Sequence, residues 1–221
     1  MIKALIFDLD GTLAETLESL TYSVSLTLKE LGFPGITKEQ CASFIGNGAR
    51  VLMDKAIRAS GGNSEELLDT AYHRYRQIFA QYCNYQVEPV KGIPELLEDL
   101  KRQGYKLGVF SNKPHPQTVD VVDQNFGEGY FDVVLGQRED IPRKPDPKGM
   151  QFCLDAMQVS VEECLYIGDS EVDVRAGEEA RIRTIIVTWG FRTRKELLKA
   201  GAKPEDMINE PMELERYLDH E

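Results

Sequence analysis

Hydrophobic residues fall along the chain in two alternating rhythms. Five short runs are almost continuously apolar or β-branched: Lys3–Phe7, Lys106–Phe110, Phe131–Leu135, Cys164–Ile167 and Thr184–Thr188. Runs of this kind suit strands of a sheet covered on both faces. Helical spacing lies between them, as in Pro94–Lys101, where Leu96, Leu97 and Leu100 share a face before Gly104. Strand alternating with helix predicts an α/β fold, a doubly wound, Rossmann-like parallel sheet.

One stretch departs from this rhythm. From residue 16 to residue 86 only helical periodicity is found, beginning with Leu17, Leu20, Val24, Leu28 and Leu31 and closing at Gly32-Phe33-Pro34-Gly35. Thr37-x-x-Gln40 has the form of a capping box opening a second helix, and Gly46-Asn47-Gly48 interrupts the pattern. A third helix ends near Gly61-Gly62, and a fourth carries Leu67, Leu68, Ala71, Tyr75, Ile78 and Phe79. The expected organisation is an α/β core over residues 1–15 and 87–221 with a helical insert over 16–86.

Composition narrows the function. The 221 residues are 42% hydrophobic and 29% charged, enough to bury a core without disulfides or metal staples. With 37 acids against 26 bases the formal charge is −11, which argues against nucleic acid and anionic membrane as partners and requires any anionic substrate to find a local cation. The four cysteines have no C-x-x-C spacing, and His73, His115 and His220 are far apart, so neither zinc nor a disulfide framework is indicated. The first apolar run stops at Phe7, too short for a signal-peptide core, and the expected location is cytoplasmic.

Four polar constellations follow apolar runs. In Phe7-Asp8-Leu9-Asp10-Gly11-Thr12 the two acids, two residues apart, project to one side at the carboxyl end of a strand, where open α/β sheets bind ligands. Gly11 permits the chain to turn and is expected to leave a backbone N–H open to an anion. Each like-charge contact between these acids and a phosphate costs about 4 kcal/mol at 4 Å and an effective dielectric near 20, so cations must be supplied. Gly168-Asp169-Ser170-Glu171-Val172-Asp173 adds the oxygen donors that Mg²⁺ prefers. Arg143-Lys144-Pro145-Asp146-Pro147 offers a lysine in a stiffened loop, and Phe110-Ser111-Asn112-Lys113 a hydroxyl and an amide at a strand end.

In this order, the four constellations resemble the signature motifs of the haloacid dehalogenase superfamily. Within it, Ile45-Gly46-Asn47-Gly48-Ala49, Gly168-Asp169-Ser170 and Val187-Thr188-Trp189-Gly190-Phe191-Arg192 are similar to the phosphoglycolate phosphatase subgroup, whereas Glu15 and Thr16 stand where many relatives carry Asp-Ser. The resemblance implies a strand order 3-2-1-4-5 and a mobile cap in the helical insert. It further implies that Asp8 is a nucleophile forming an aspartyl-phosphate and Asp10 an acid and then a base. Mg²⁺ would be held by Asp8, the Asp10 carbonyl and Asp169, with Ser170 and Asp173 supporting the metal site. Thr12, Ser111, Asn112 and Lys144 would bind phosphate, and Gly46, Asn47 and Arg50 are possible substrate contacts from the cap. The implied partner is a small phosphorylated metabolite, with 2-phosphoglycolate leading, and the protein a monomer or homodimer. A pyrophosphatase, a phosphosugar phosphatase or mutase, and a non-catalytic phosphate-binding module share much of this pattern.

Overall fold

The computed structural model describes residues 1–218, so His220 lies outside the described residues. Strand β1 (Ala4–Phe7) is fully buried and is followed by a two-residue strand β2 (Ala14–Glu15) and four helices: α1 (Leu17–Glu30), α2 (Lys38–Phe44), α3 (Ala49–Ala59) and α4 (Ser64–Tyr82). Strand β3 (Glu88–Pro89) returns the chain, and β4 (Lys106–Pro114), β5 (Val133–Gln137), β6 (Cys164–Gly168), β7 (Arg183–Val187) and β8 (Met207–Ile208) complete the large sheet. Its helices are α5 (Ile93–Arg102), α6 (His115–Phe126), α7 (Lys148–Met157), α8 (Glu171–Ala180) and α9 (Arg194–Lys199).

The sheet is parallel throughout, in the order β5-β4-β1-β6-β7-β8. The predicted order of five strands is therefore present, with a short sixth added at one edge. Alternation along β1 divides the core: Leu5 and Phe7 join one cluster, Ala4 and Ile6 the other. The first cluster continues without a break into Leu20, Val24, Leu52, Tyr75 and Phe79 of the helical stretch. The helices of residues 17–82 thus bury their apolar faces partly against one another and partly against the sheet.

Two expected boundaries shift. Phe131 and Asp132 precede β5, where the Asp132 carboxylate rather than a backbone carbonyl accepts the Leu107 N–H at 2.8 Å as the β4–β5 pairing begins. Strand β4 runs beyond Phe110 to Pro114, which brings Ser111, Asn112 and Lys113 into the buried strand end. The capping box at Thr37 and Gln40 forms with both reciprocal hydrogen bonds. The paired strands β2 and β3, which carry the chain into and out of the helical stretch, are too short to leave a sequence pattern; Ala14 faces Pro89 and Glu15 faces Glu88. All four cysteines are free and buried, and no helix among the described residues is long and apolar enough to cross a membrane.

Candidate active site

Every charged residue buried among the described ones lies at one end of the central strands: Asp8, Asp10, Lys113, Lys144, Asp169 and Asp173. Parallel strands place them there. Asp8 leaves β1 with its N–H donating to the Ile167 carbonyl at 2.8 Å, so β1 and β6 deliver Asp8 and Asp169 side by side. Strand β4, on the other flank of β1, delivers Ser111 to Lys113.

Asp8 Oδ1 accepts the Leu9 N–H at 2.7 Å and faces Lys144 Nζ at 3.0 Å. Lys144 Nζ also donates to Asp173 Oδ1 at 2.8 Å and to the Tyr166 hydroxyl at 2.9 Å. The other oxygen of Asp173 accepts from the Ser170 hydroxyl at 2.6 Å and from the N–H groups of Ser170 and Asp169. Both Asp173 oxygens are thus engaged, which makes it an orienting group for Lys144 and the Asp169 turn. Asp169 Oδ2 accepts the Phe191 N–H at 2.7 Å, and the carboxylate is wedged between two glycines. A Cβ on Gly190 would come within 2.2 Å of Asp169 Oδ2 and one on Gly11 within 2.6 Å, so neither position accommodates a side chain.

A cavity of about 50 Å³ opens on this floor, lined by Asp8, Asp10, Ser111, Lys113, Lys144 and Asp169 below and by Leu20, Ile45, Ala49, Leu52, Tyr75 and Phe79 from the helical stretch above. Asn112 ties the halves together. Its side chain accepts the Lys144 N–H at 2.8 Å and donates to the Gly46 carbonyl at 2.9 Å. Arg192 makes a second tie, donating to the Ala42 and Ile45 carbonyls at 2.7 Å each while pairing with Glu171 at 2.7 Å.

Several residues stand elsewhere than the sequence suggests. The Gly11 N–H is not open to an anion; it donates to the Ala14 carbonyl at 3.0 Å because the Leu9–Ala14 turn closes on itself. Thr12 is fully buried, its N–H directed to the Leu9 carbonyl and its hydroxyl without a hydrogen-bond partner, and it is not among the residues lining the cavity. Gly46 and Gly48 line the cavity, but Asn47 does not. Arg50 is outside as well: its guanidinium pairs with Asp69 at 2.6 Å on the surface, since Ala49 and Leu52 take the inward face of α3. Conversely, sequence reasoning overlooked Lys113, whose ammonium meets Asp10 Oδ1 at 2.7 Å and sits 4.8 Å above the Phe79 ring. Its position two residues after Ser111 on an extended strand was the available signal. Tyr166 was hidden inside an apolar run, and Arg192, although it closes the Val187–Arg192 match, gave no sign in the sequence of its ties to Ala42 and Ile45.

Electrostatics mark what the floor lacks. Four buried carboxylates face two buried lysines, so a fully ionised floor would carry an excess of two negative charges. Burial, followed by the carboxylates of Asp173 and Asp10, pushes Asp8 up to about 7 despite Lys144, and burial with Asp173 and Asp8 raises Asp169 well above the carboxylate range. Asp173 moves the other way: burial opposes its charge, but Lys144 and the hydrogen bonds of Ser170 and Tyr166 hold it below the usual value. One oxygen each of Asp8, Asp169 and Asp173 lies within 4.8 Å of the others, and since both Asp173 oxygens are engaged by Lys144, Tyr166, Ser170 and Asp169, Asp8 and Asp169 are the acids left to take a cation. A hard divalent ion fits this donor set in both charge and chemistry.

The sign of the pH effect follows. A carboxyl whose folded pKa exceeds its unfolded value binds more protons in the native state, so stability falls as pH rises from the unfolded pKa towards the folded one. For Asp8 that window runs from 3.8 to about 7, with Asp169 acting in the same direction. Metal-free protein should therefore melt at a lower temperature at pH 7.5 than at pH 5, and added Mg²⁺ should reverse the drop at pH 7.5. Thermal melts with EDTA or Mg²⁺ at both pH values check this; a metal-free melting temperature that rises with pH would contradict it.

Comparison with known proteins agrees with the site. Residues 5–187 match the family described as haloacid dehalogenase-like hydrolase. The chain is 27% identical over 220 residues to the phosphoglycolate phosphatase of Aquifex aeolicus, covering 99% of this chain and 98% of that one. It is 31% identical over 194 residues to the phosphoglycolate phosphatase of Vibrio vulnificus strain CMCP6, covering 86% and 85%. Among solved structures, a CbbY variant from Rhodobacter sphaeroides in complex with xylulose-(1,5)bisphosphate superimposes with a TM-score of 0.80 at 25% identity, covering 97% of this chain and 96% of that one.

Proposed function

Because the chain belongs to the haloacid dehalogenase-like hydrolases, we propose that this phosphatase hydrolyses 2-phosphoglycolate with Mg²⁺ through an aspartyl-phosphate on Asp8. The observation that carries the chemistry is the Asp8 carboxylate, held at the cavity floor by Leu9 N–H and Lys144 and beside Asp10 and Asp169. The substrate choice rests on the names of the relatives and on the small cavity. A sugar bisphosphate would require the helices above the cavity to lift.

In the first step an Asp8 oxygen forms a bond to phosphorus while the bond to the leaving oxygen breaks, and Asp10 delivers its proton to that oxygen. In the second, Asp10 takes a proton from water, whose oxygen attacks phosphorus and displaces the Asp8 carboxylate, releasing phosphate. Ser111 orients a phosphoryl oxygen, Lys144 holds Asp8 and spreads positive charge towards the phosphoryl group, and Asn112, whose two amide N–H groups are taken by the Gly46 and Lys144 carbonyls, holds the Lys144 backbone in place rather than binding phosphate directly. Thr12 supports the turn from behind. Asp8, Asp169 and the Asp10 carbonyl would hold Mg²⁺, with Ser170 and Asp173 bracing the Asp169 side; the ion supplies the positive charge that allows a phosphate dianion to approach these acids. Residues 16–86 act as the cap over a core of 1–15 and 87–221, and the ties from Asn112 and Arg192 hold it shut. Opening would break those ties.

A phosphate-release assay over 2-phosphoglycolate, phosphosugars, nucleotides and pyrophosphate tests this reading. The expected result is highest kcat/KM for 2-phosphoglycolate, loss of turnover by at least about 100-fold on EDTA treatment, and recovery with Mg²⁺. Full activity after chelation would overturn the metal role, and a stronger preference for a sugar phosphate would overturn the substrate.

A further inference from the structure

A phosphatase that selects phosphoglycolate must recognise a second anion, the carboxylate separated from the leaving oxygen by one methylene. The helices above the cavity supply no cationic side chain for it: their inward residues are Leu20, Ile45, Ala49, Leu52, Tyr75 and Phe79, and Arg50 is turned outwards to Asp69. Among the described residues, the cations lining the cavity come from the sheet side: Lys113, Lys144 and Arg192.

Their donors decide between them. An ammonium has three N–H groups and a guanidinium five. Lys144 has all three in use, on Asp8, Asp173 and Tyr166. Arg192 uses four of its five N–H groups, two on Glu171 and one each on the Ala42 and Ile45 carbonyls, so its fork is largely committed to holding the structure together. Lys113 makes one bond from its ammonium, to Asp10 Oδ1, and rests against the Phe79 ring. Among the described residues two of its N–H groups have no acceptor, although its side chain is only 1% exposed.

We infer that Lys113 is the specificity residue of this site, binding the carboxylate of a short 2-phospho-acid while remaining in contact with Asp10. The inference rests on the proposed phosphoglycolate reading and deepens it. Its geometry follows from that contact. A leaving oxygen that receives a proton from Asp10 lies beside the Asp10 carboxyl, and the carboxylate one methylene further on falls beside the ammonium bonded to Asp10. Desolvation strengthens the contact, because a charge-assisted hydrogen bond in a cavity roofed by Phe79, Leu20 and Leu52 competes with little water. A neutral hydroxyl in place of the carboxylate would leave the two Lys113 donors without an anionic acceptor.

The decisive measurement is the ratio of kcat/KM for 2-phosphoglycolate to that for 2-hydroxyethyl phosphate, which has the same backbone without the carboxylate. Lys113→Met should lower turnover of both, since Asp10 loses its partner, but it should also reduce the ratio by at least about 10-fold, mainly through KM for 2-phosphoglycolate. Lys113→Arg should retain a larger share of the ratio. Lys113→Gln replaces Lys113→Met if that protein fails to fold by circular dichroism. If both substrates fall by the same factor in kcat, Lys113 merely positions Asp10 and the inference is overturned. Failure of the underlying reading looks different: wild-type protein itself would show no preference for 2-phosphoglycolate over 2-hydroxyethyl phosphate.

Discussion

Asp8→Asn protein should fold normally and release phosphate at least about 10⁴-fold more slowly than wild type from any phosphomonoester that the wild type accepts. Asparagine preserves the shape of the side chain and the acceptor for the Leu9 N–H, which Asp8 meets at 2.7 Å, but has no carboxylate to attack phosphorus. Stability should move the opposite way from activity. In metal-free protein above pH 7, ionised Asp8 is opposed by burial, by Asp173 and by Asp10, so replacing it with a neutral amide removes a repulsion. A gain of about 1–2 kcal/mol would raise the melting temperature by several degrees in a chain of this length. Steady-state phosphate release, trapping of labelled phosphoenzyme and thermal melts in EDTA together check the assignment. Retained turnover with normal substrate binding would show that another group, or water itself, attacks phosphorus.

Lys144→Ala should be damaging in both respects. The ammonium lies 3.0 Å from Asp8 and 2.8 Å from Asp173, and all three side chains are buried. Burial opposes the charge on Lys144, but the carboxylates of Asp173 and Asp8 outweigh it and hold the lysine protonated well above its ordinary range. Removing it strands two acids in a desolvated site, and breaking a buried pair in this manner costs roughly 3–5 kcal/mol. The melting temperature should fall by about 10 °C, and activity should fall with it because Asp8 loses the contact that orients it. Lys144→Arg should not restore the site, since a planar guanidinium does not fit where three acceptors surround a point charge. Denaturant and thermal melts run beside turnover measurements test this. A Lys144→Ala protein melting within about 2 °C of wild type would show that the pair contributes little.

The fold was largely legible because its strands are buried on both sides and therefore almost purely apolar; the runs ending at Phe7, Phe110 and Ile167 mark β1, β4 and β6 to within a few residues. The acids of the floor were legible for the same reason, as abrupt carboxylates after apolar runs. What stayed hidden depends on long-range contact. Lys113 ends the strand-end constellation with no role of its own until β4 is seen to continue to Pro114 and to carry it to Asp10. Arg50 reads as a possible ligand until the rotation of α3 places it on the surface with Asp69. The self-closing turn at Gly11 and the buried hydroxyl of Thr12 depend on backbone hydrogen bonds to Leu9 and Ala14, which residue type alone does not specify. Strands of two residues, β2, β3 and β8, are below the length at which alternation can be recognised.

The β2–β3 pair has a consequence for how such a protein diversifies. Ala14 stands opposite Pro89 and Glu15 opposite Glu88, so the helical stretch leaves and rejoins the chain at neighbouring points. A segment with adjacent ends can be lengthened, shortened or exchanged without moving the sheet that positions Asp8, Ser111 and Asp169 or the β5–α7 loop that carries Lys144. Substitutions that change the roof at Leu20, Leu52 or Tyr75 can therefore accumulate in a lineage while the acid floor is inherited intact, and new substrates can be explored without reinventing phosphoryl transfer.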